Sequence, residues 1–130
     1  MSKKTILKFE DEELKQRLFE IPKLIKALKL EDLDVITELN KLHERLESWE
    51  IENVLDINLD KTLTNEKNRQ TELKNRRKLD TNIVSLDEKV AELTTKHKKI
   101  VVEAEYLDDE QKNLRSLCYF ESFHGFKNEF

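Results

Sequence analysis

The side chains most able to do chemistry are few, and they are not arranged as an enzyme needs them. His43 and Glu44 begin a sequence like that of zinc proteases, but Glu47 stands where the second histidine belongs. Cys118 and His124 are two possible metal ligands without the second pair that a zinc site requires. The chain has one glycine, whereas phosphate-binding loops and substrate pockets depend on several. We therefore expect no enzymatic activity, no cofactor, no metal and no small-molecule substrate.

A basic run, KNRQTELKNRRK at residues 67–78, has the charge needed to bind phosphates. Asn68 is followed after eight residues by Arg76 and after ten more by Leu86, and leucine or isoleucine then recurs every seventh residue. This spacing resembles a basic leucine zipper over residues 68–107. The resemblance implies a helix that reads DNA in the major groove. Its nucleic-acid contacts would be Asn68, Arg69, Arg76, Arg77 and Lys78.

Two features make DNA binding the alternative hypothesis here, and nucleic acid a partner that we do not expect. Between Asn68 and Arg76, where the zipper family places small residues against the bases, this chain has Thr71 and Glu72. The whole chain is also acidic, with a formal charge of −4, so any phosphate-binding surface would have to be local.

The composition favours long helices. Charged residues make up 40% of the chain and hydrophobic residues 37%, with a single glycine and a single proline, so few tight turns can form. No apolar run is long enough to cross a membrane, and the N-terminal sequence becomes acidic before a signal-peptide core could form. Cys118 is the only cysteine, which excludes an internal disulfide. We expect an intracellular protein, in cytoplasm or nucleus, without membrane insertion.

Residues 1–31 are predicted to form short N-terminal helices. Apolar residues in this part alternate at spacings of four and three, which is typical of one stripe on an amphipathic helix. They are Leu14, Leu18, Ile21, Ile25 and Leu28. Pro22 interrupts the stripe, because it lacks the N–H of a helix interior but suits a first helical position. We therefore favour two short helices over one helix kinked at Pro22.

Residues 32–63 are predicted to form a first coil, which begins near Asp32 as a helix cap. Its apolar seam alternates at spacings of four and three. The seam comprises Val35, Leu39, Leu42, Leu46 and Trp49. A shifted stripe of Ile51, Leu55, Leu59 and Leu63 then predicts a register shift or bend near residues 50–60. Residues 64–78, with Leu73 as the only apolar side chain, are either a polar basic connector or the tip of a hairpin.

Residues 79–118 form the clearest pattern, a heptad zipper that predicts a second coil. One core position is occupied by Leu79, Leu86, Leu93, Ile100, Leu107 and Leu114. The other is occupied by Ile83, Val90, His97, Ala104, Gln111 and Cys118. His97 and Gln111 are polar at core positions, where such residues select register and partner at some cost in stability. The evenly spaced apolar side chains predict that other helices, chiefly from a different polypeptide, cover this seam.

Two further features point to partners. Val101 and Val102 widen the apolar stripe of the second coil, as Leu33 and Ile36 do in the first, and a wider stripe contacts more than one helix. Residues 119–130 are an aromatic C-terminal tail that either packs on the chain's own helices or anchors it in a partner. The predicted partner-binding residues are Leu79, Ile83, Leu86, Val90, Leu93, His97, Ile100, Leu107, Leu114, Phe120, Phe123 and Phe126.

The predicted fold is therefore all-α, with long coiled-coil helices that are either extended or folded as a helical hairpin or bundle. The expected function is that of a non-enzymatic structural or adaptor subunit, which assembles with other helical chains in a larger intracellular complex. Heteromeric partners are favoured because the charges flanking the second seam do not specify pairing with a second copy. A homodimer stays an alternative.

Overall fold

Residues 3–128 of the protein form three helices. A computed structural model describes the backbone of residues 3–128 and the side chains of residues 12–119. The helices are α1 (Lys3–Leu59), α2 (Glu66–Leu79) and α3 (Thr81–Asn128). No strand occurs within residues 3–128. The all-α class predicted from the composition is confirmed.

The helix α1 is continuous over 57 residues and contains Pro22 in its interior. The prediction of separate short N-terminal helices is therefore wrong. A proline in a helix costs roughly 3 kcal/mol, because it removes a hydrogen bond and its ring crowds the preceding turn. Ile21 is completely buried and Leu18 and Ile25 are half-buried. Each buried aliphatic side chain contributes about 1.5–3 kcal/mol, so burial on both sides of the proline offsets its cost.

The last turns of α1 keep one register past Trp49. Asn53 is half-buried and Ile57 is buried, with 2% of its surface exposed. The predicted bend or register shift near residues 50–60 is wrong, since the helix runs unbroken to Leu59. The Asn53 side-chain amide donates to the Trp49 carbonyl at 2.9 Å, so this polar residue is hydrogen-bonded inside its own helix.

A short turn joins α1 to α2. The Asp60 carboxylate accepts hydrogen bonds from both the backbone N–H and the hydroxyl of Thr62, at 2.9 and 2.7 Å. These bonds hold the pKa of Asp60 below its ordinary value. The side-chain oxygen of Asn65 then accepts from the Asn68 backbone N–H at 2.8 Å and caps α2. The chain thus turns without glycine or proline, because aspartate and asparagine supply the hydrogen bonds locally.

Asp80 separates α2 from α3. Its backbone is extended, with φ −84° and ψ 102°, and its N–H donates to the Arg76 carbonyl. One carboxylate oxygen accepts from the backbone N–H groups of Asn82 and Ile83 at 3.0 and 3.3 Å, which caps α3. The other oxygen accepts from the Trp49 indole N–H at 3.0 Å. One aspartate therefore both begins α3 and ties it to α1.

The chain forms two compact units. Unit 1 comprises Met1–Asp32 and Lys99–Phe130. Within it the two helical segments are antiparallel, because Arg17 of α1 contacts Glu110 of α3, whereas Ile25 lies nearer the start of the second segment, beside Ile100. Among the residues of unit 1 whose side chains are described, the buried ones are Ile21, Ile100, Leu107 and Gln111.

Unit 2 comprises Leu33–Lys98 and folds as a helical hairpin. Lys89 lies 3.8 Å from Glu38, and Asp80 binds Trp49, so α1 and α3 are antiparallel in this unit too. The helix α2 packs against the last turns of α1 through Leu73. The buried residues of unit 2 are Val35, Leu42, Leu46, Ile57, Ile83 and Leu93.

Candidate partner-binding surfaces

The part of the zipper seam in unit 2 is covered by the chain itself. Ile83 and Leu93 are buried, and Leu86, Val90 and His97 are half-buried, in the isolated chain. The side chains that cover them come from α1, where the predicted first-coil seam is buried on the facing side. The spacing thus identified the inner face correctly. The prediction that a different polypeptide covers this face is wrong.

The part of the seam in unit 1 is likewise closed. Ile100 and Leu107 are buried, and Leu114 is half-buried. Gln111 is the one buried polar residue in the described core, with 9% of its surface exposed. No buried side-chain nitrogen or oxygen within residues 12–119 lacks a hydrogen-bond partner, so Gln111 adds no unpaired group to the seam. Ile100, Leu107 and Gln111 therefore belong to the core of the isolated chain.

Four of the predicted partner-binding residues fall outside this description of the seam. Leu79, the last residue of α2, is 82% exposed. It lies outside the seam because α2 ends at this residue, and the extended backbone of Asp80 interrupts the heptad register before α3 begins. Phe120, Phe123 and Phe126 lie outside the residues whose side chains are described.

An ion pair links the two helices of unit 1. The Arg17 guanidinium donates through Nε and Nη2 to the two carboxylate oxygens of Glu110, at 2.8 and 3.0 Å. This paired geometry is the strongest form of such a contact. The hydrogen bonds raise the pKa of Arg17 and lower the pKa of Glu110. Both side chains remain partly open to water, so the pair orients the helices more than it stabilises them.

Acid should weaken unit 1 through Glu110. Because the folded pKa of Glu110 lies below its ordinary value, its contribution to stability is complete above the ordinary glutamate pKa, about 4.3. That contribution is lost as the pH falls through the folded pKa. We expect the urea midpoint of Glu110→Gln to fall less between pH 6 and pH 2.5 than that of the unsubstituted chain.

The matched control for this pH series is Glu103→Gln, an exposed glutamate on the same helix. It should leave the pH dependence close to that of the unsubstituted chain, because its exposed side chain takes no part in the pair between Arg17 and Glu110. If the urea midpoints of Glu110→Gln and Glu103→Gln depended on pH to the same extent, the ion pair between Arg17 and Glu110 would not explain the loss of stability in acid.

The basic residues of 67–78 are engaged within unit 2. Arg76 Nη1 lies 2.6 Å from an Asp56 carboxylate oxygen, and its Nε lies 3.1 Å from Glu72. Arg77 donates two hydrogen bonds to the Asp87 carboxylate, which raise the pKa of Arg77. A phosphate backbone would have to displace these carboxylates before it could bind either arginine.

The remaining predicted nucleic-acid residues differ in their contacts. Arg69 donates from Nε to the Leu63 carbonyl at 3.1 Å, and Asn68 and Lys78 are exposed. In a basic leucine zipper the basic region and the zipper form one continuous helix. Here α2 ends at Leu79 and α3 begins at Thr81, so that continuity is absent. The basic run is therefore the second helix of a hairpin, and Arg76 joins it to α1 through Asn53 and Asp56.

An open groove lies between α1 and α3 in unit 1. It has a volume of about 430 Å³, and its apolar lining comprises Ile25, Ile100, Val101 and Ala104. Its charged lining comprises Lys29, Asp32, Glu105 and Asp108. Val101 remains 36% exposed at the rim. This is the widened stripe that the sequence analysis noted at Val101, and no part of the described chain covers it.

A second apolar surface, which the sequence analysis misread, lies at the end of α1 in unit 2. Ile51, Leu55 and Leu59 are 53%, 59% and 80% exposed. We call these three residues the Ile51 row. Their constant spacing of four residues was the available signal, because four residues advance about 40° beyond a full turn and drift away from a seam. The row is thus a surface feature and not a displaced core.

No protein family, curated protein or solved structure shows significant similarity to this chain. Within the described part of the chain, no group of three or more histidine, cysteine, aspartate or glutamate side chains is placed to hold a metal ion. None of the described helices combines the length and apolarity that crossing a membrane requires. The open groove of unit 1 and the Ile51 row of unit 2 are two exposed apolar surfaces of the described residues that could carry a function.

Proposed function

We propose that this protein is a non-enzymatic structural or adaptor subunit, which binds helices of other chains within a larger intracellular assembly. One observation carries the proposal. The apolar seam of each unit is already covered by the chain's own helices, yet unit 1 keeps an apolar groove open beside its seam. Polar side chains in this groove would make a chain without partners more soluble, whereas an exposed apolar groove is typical of an interaction site.

The groove has the form that a third helix needs. It runs between two antiparallel helices, and helices pack into such grooves at interaxial distances of roughly 8–10 Å. Ile25 and Ala104 are half-buried, so side chains from a third helix would complete their burial. Filling the groove would also remove Val101 from water, which favours association by a fraction of its full burial value of about 1.5–3 kcal/mol.

The proposed role is geometric. A partner helix laid along the groove of unit 1 takes a defined direction from the two helical segments that line it. Among the charged residues that line the groove, three are acidic and only Lys29 is basic. A second copy would bring the same acidic groove, which favours a different chain as the partner.

A pair of substitutions at neighbouring positions tests the proposal. Val101→Glu places a charge at the groove rim and should abolish recovery of a stoichiometric partner when the tagged chain is purified from cells that produce it. Val102→Glu makes the same change about 100° further around α3, at a side chain that is 64% exposed, and should leave recovery intact.

Circular dichroism on both variants should show unchanged helicity, because both positions tolerate exposure to water. Three results would contradict the proposal: no stoichiometric partner for the unsubstituted chain, equal loss with both variants, or sedimentation equilibrium showing that the groove joins two copies of this chain.

A further inference from the structure

The Ile51 row faces away from the covered core of unit 2. Ile51 and Leu55 each stand two residues from Asn53, which corresponds to about 200° around the helix. Asn53 is half-buried and Ile57 is buried, so the opposite side of α1 carries the row. The three side chains follow one another along about two turns and form a continuous apolar strip. Such a strip on a single helix is the surface that a second amphipathic helix recognises.

The surroundings of the row are acidic. Residues 46–60 contain no lysine, arginine or histidine. Their acidic residues are Glu47, Glu50, Glu52, Asp56 and Asp60. Glu52 and Asp56 directly follow Ile51 and Leu55 in sequence, so one edge of the row is lined with carboxylates. Asp56 is paired with Arg76 of α2, which leaves Glu52 as the exposed acid beside the centre of the row.

The end of α1 adds further negative charge. The row finishes at Leu59, the last residue of the helix, where the unpaired carbonyls carry a partial negative charge. Helices commonly place lysine or arginine in this turn to balance it, but α1 has no basic residue in its last turn. The apolar row, its acidic edge and the end of α1 therefore lie within the same few turns.

We infer that the Ile51 row is a second docking surface, and that its occupant is a basic amphipathic helix of another protein. Apolar side chains of that helix bury Ile51, Leu55 and Leu59. Its flanking lysines or arginines lie against Glu52 and the carboxyl-terminal end of α1. This surface extends the proposed adaptor role but does not depend on the groove of unit 1.

Other occupants fit these observations less well. Nucleic acid and anionic membranes carry phosphates, which the acidic edge repels. A second copy of this chain carries exposed lysines at Lys23, Lys26 and Lys29 of α1, and a crosslink to that segment would identify a copy as the occupant. Its most basic helix is α2, whose exposed stripe is Lys67, Thr71, Lys74 and Lys78. That stripe has no apolar side chain to cover the row, so it supplies the charge without the burial.

A photo-crosslinking experiment on the full chain tests the inference. A benzophenone side chain at position 55 should crosslink, in cells that produce the protein, to another protein. Mass spectrometry should place the crosslink in a segment with leucine, isoleucine or similar residues at helical spacing and lysine or arginine beside them. The same probe at position 84, an exposed valine elsewhere in unit 2, should not yield that segment.

Charge reversal provides the second arm. Glu50→Lys combined with Glu52→Lys should reduce the yield at position 55 by about tenfold, the effect expected when opposite-charge contacts become like-charge contacts. Glu88→Lys, an exposed glutamate on α3, is the matched control and should leave the yield unchanged.

The remaining outcomes overturn the inference. The inference is wrong if position 55 forms no crosslink, or if it crosslinks to a copy of this chain, to nucleic acid or to lipid. It is also wrong if the crosslinked segment has no basic residues, or if the yield is unchanged when Glu50 and Glu52 are both replaced by lysine. Val101→Glu distinguishes this result from failure of the groove, because that change lies in unit 1 and should leave crosslinking at position 55 intact.

Discussion

Ile21→Ala is expected to lower the free energy of unfolding of unit 1 by about 3 kcal/mol, within the range for truncating a buried isoleucine. Ile21 is completely buried, with 0% of its surface exposed. It lies in the seam next to Pro22, where the helix already lacks one backbone hydrogen bond. The half-buried neighbours Leu18 and Ile25 can fill the resulting cavity only in part, because the seam holds them on either side.

The measurement is urea unfolding of the full chain, followed by circular dichroism at 222 nm. For small proteins the denaturant dependence is about 1–3 kcal/mol per molar urea, so the midpoint should fall by roughly 1–3 M. Leu30→Ala is the control, because it removes an aliphatic side chain from the same helix at a position that is 57% exposed. Its effect should stay below about 1 kcal/mol. Equal losses would mean that Ile21 is not the core residue described above.

The inner faces of the helices could be predicted from apolar spacing alone. Val35, Leu42 and Leu46 were assigned to a seam by their alternating spacings, and all three are buried. The same rule identified Ile83 through Leu107 on the facing helix. It succeeds because a period near 3.5 keeps one stripe on one side of a helix over many turns.

The identity of the covering helix could not be predicted in this way. A heptad pattern specifies an apolar seam, but the same seam can be closed by a second chain or by an earlier part of its own chain. The information that decides lies in the two junctions between helices. Asp60 and Asn65 supply local hydrogen bonds between α1 and α2, and Asp80 supplies them between α2 and α3. With glycine and proline absent from this region, the turn has the polar composition of the helices around it.

The predictions of the helix boundaries were wrong for related reasons. Pro22 predicted a break because local propensity was weighed without the burial of Ile21 on its inner side. The helix end at Asp80 was not predicted, because this residue lies inside a heptad run whose leucines continue on both sides. The candidate surfaces show the same limit. Val101 was recognised as excess apolar surface, whereas the Ile51 row was interpreted as a shifted stripe that marks a register shift or bend, because exposure cannot be read from spacing alone.

Asp80→Ala is expected to lower the free energy of unfolding of unit 2 by about 2 kcal/mol. Loss of the helix cap contributes about 1 kcal/mol, because the backbone N–H groups of Asn82 and Ile83 lose their acceptor. Loss of the acceptor for the Trp49 indole contributes about 1 kcal/mol more. Trp49 is the only tryptophan of the chain, so urea unfolding followed by its fluorescence reports directly on this joint.

Two further substitutions separate the roles of Asp80. Asp80→Asn keeps one side-chain oxygen for the cap but replaces the other with an amide group, which cannot accept from Trp49, so about half of the loss should remain. Asp34→Ala, at an exposed aspartate within α1, should change the free energy of unfolding by less than about 0.5 kcal/mol. If Asp80→Ala and Asp34→Ala gave the same midpoint, Asp80 would not join the helices. If Asp80→Asn lost as much as Asp80→Ala, the carboxylate charge at the start of α3 would matter more than either hydrogen bond.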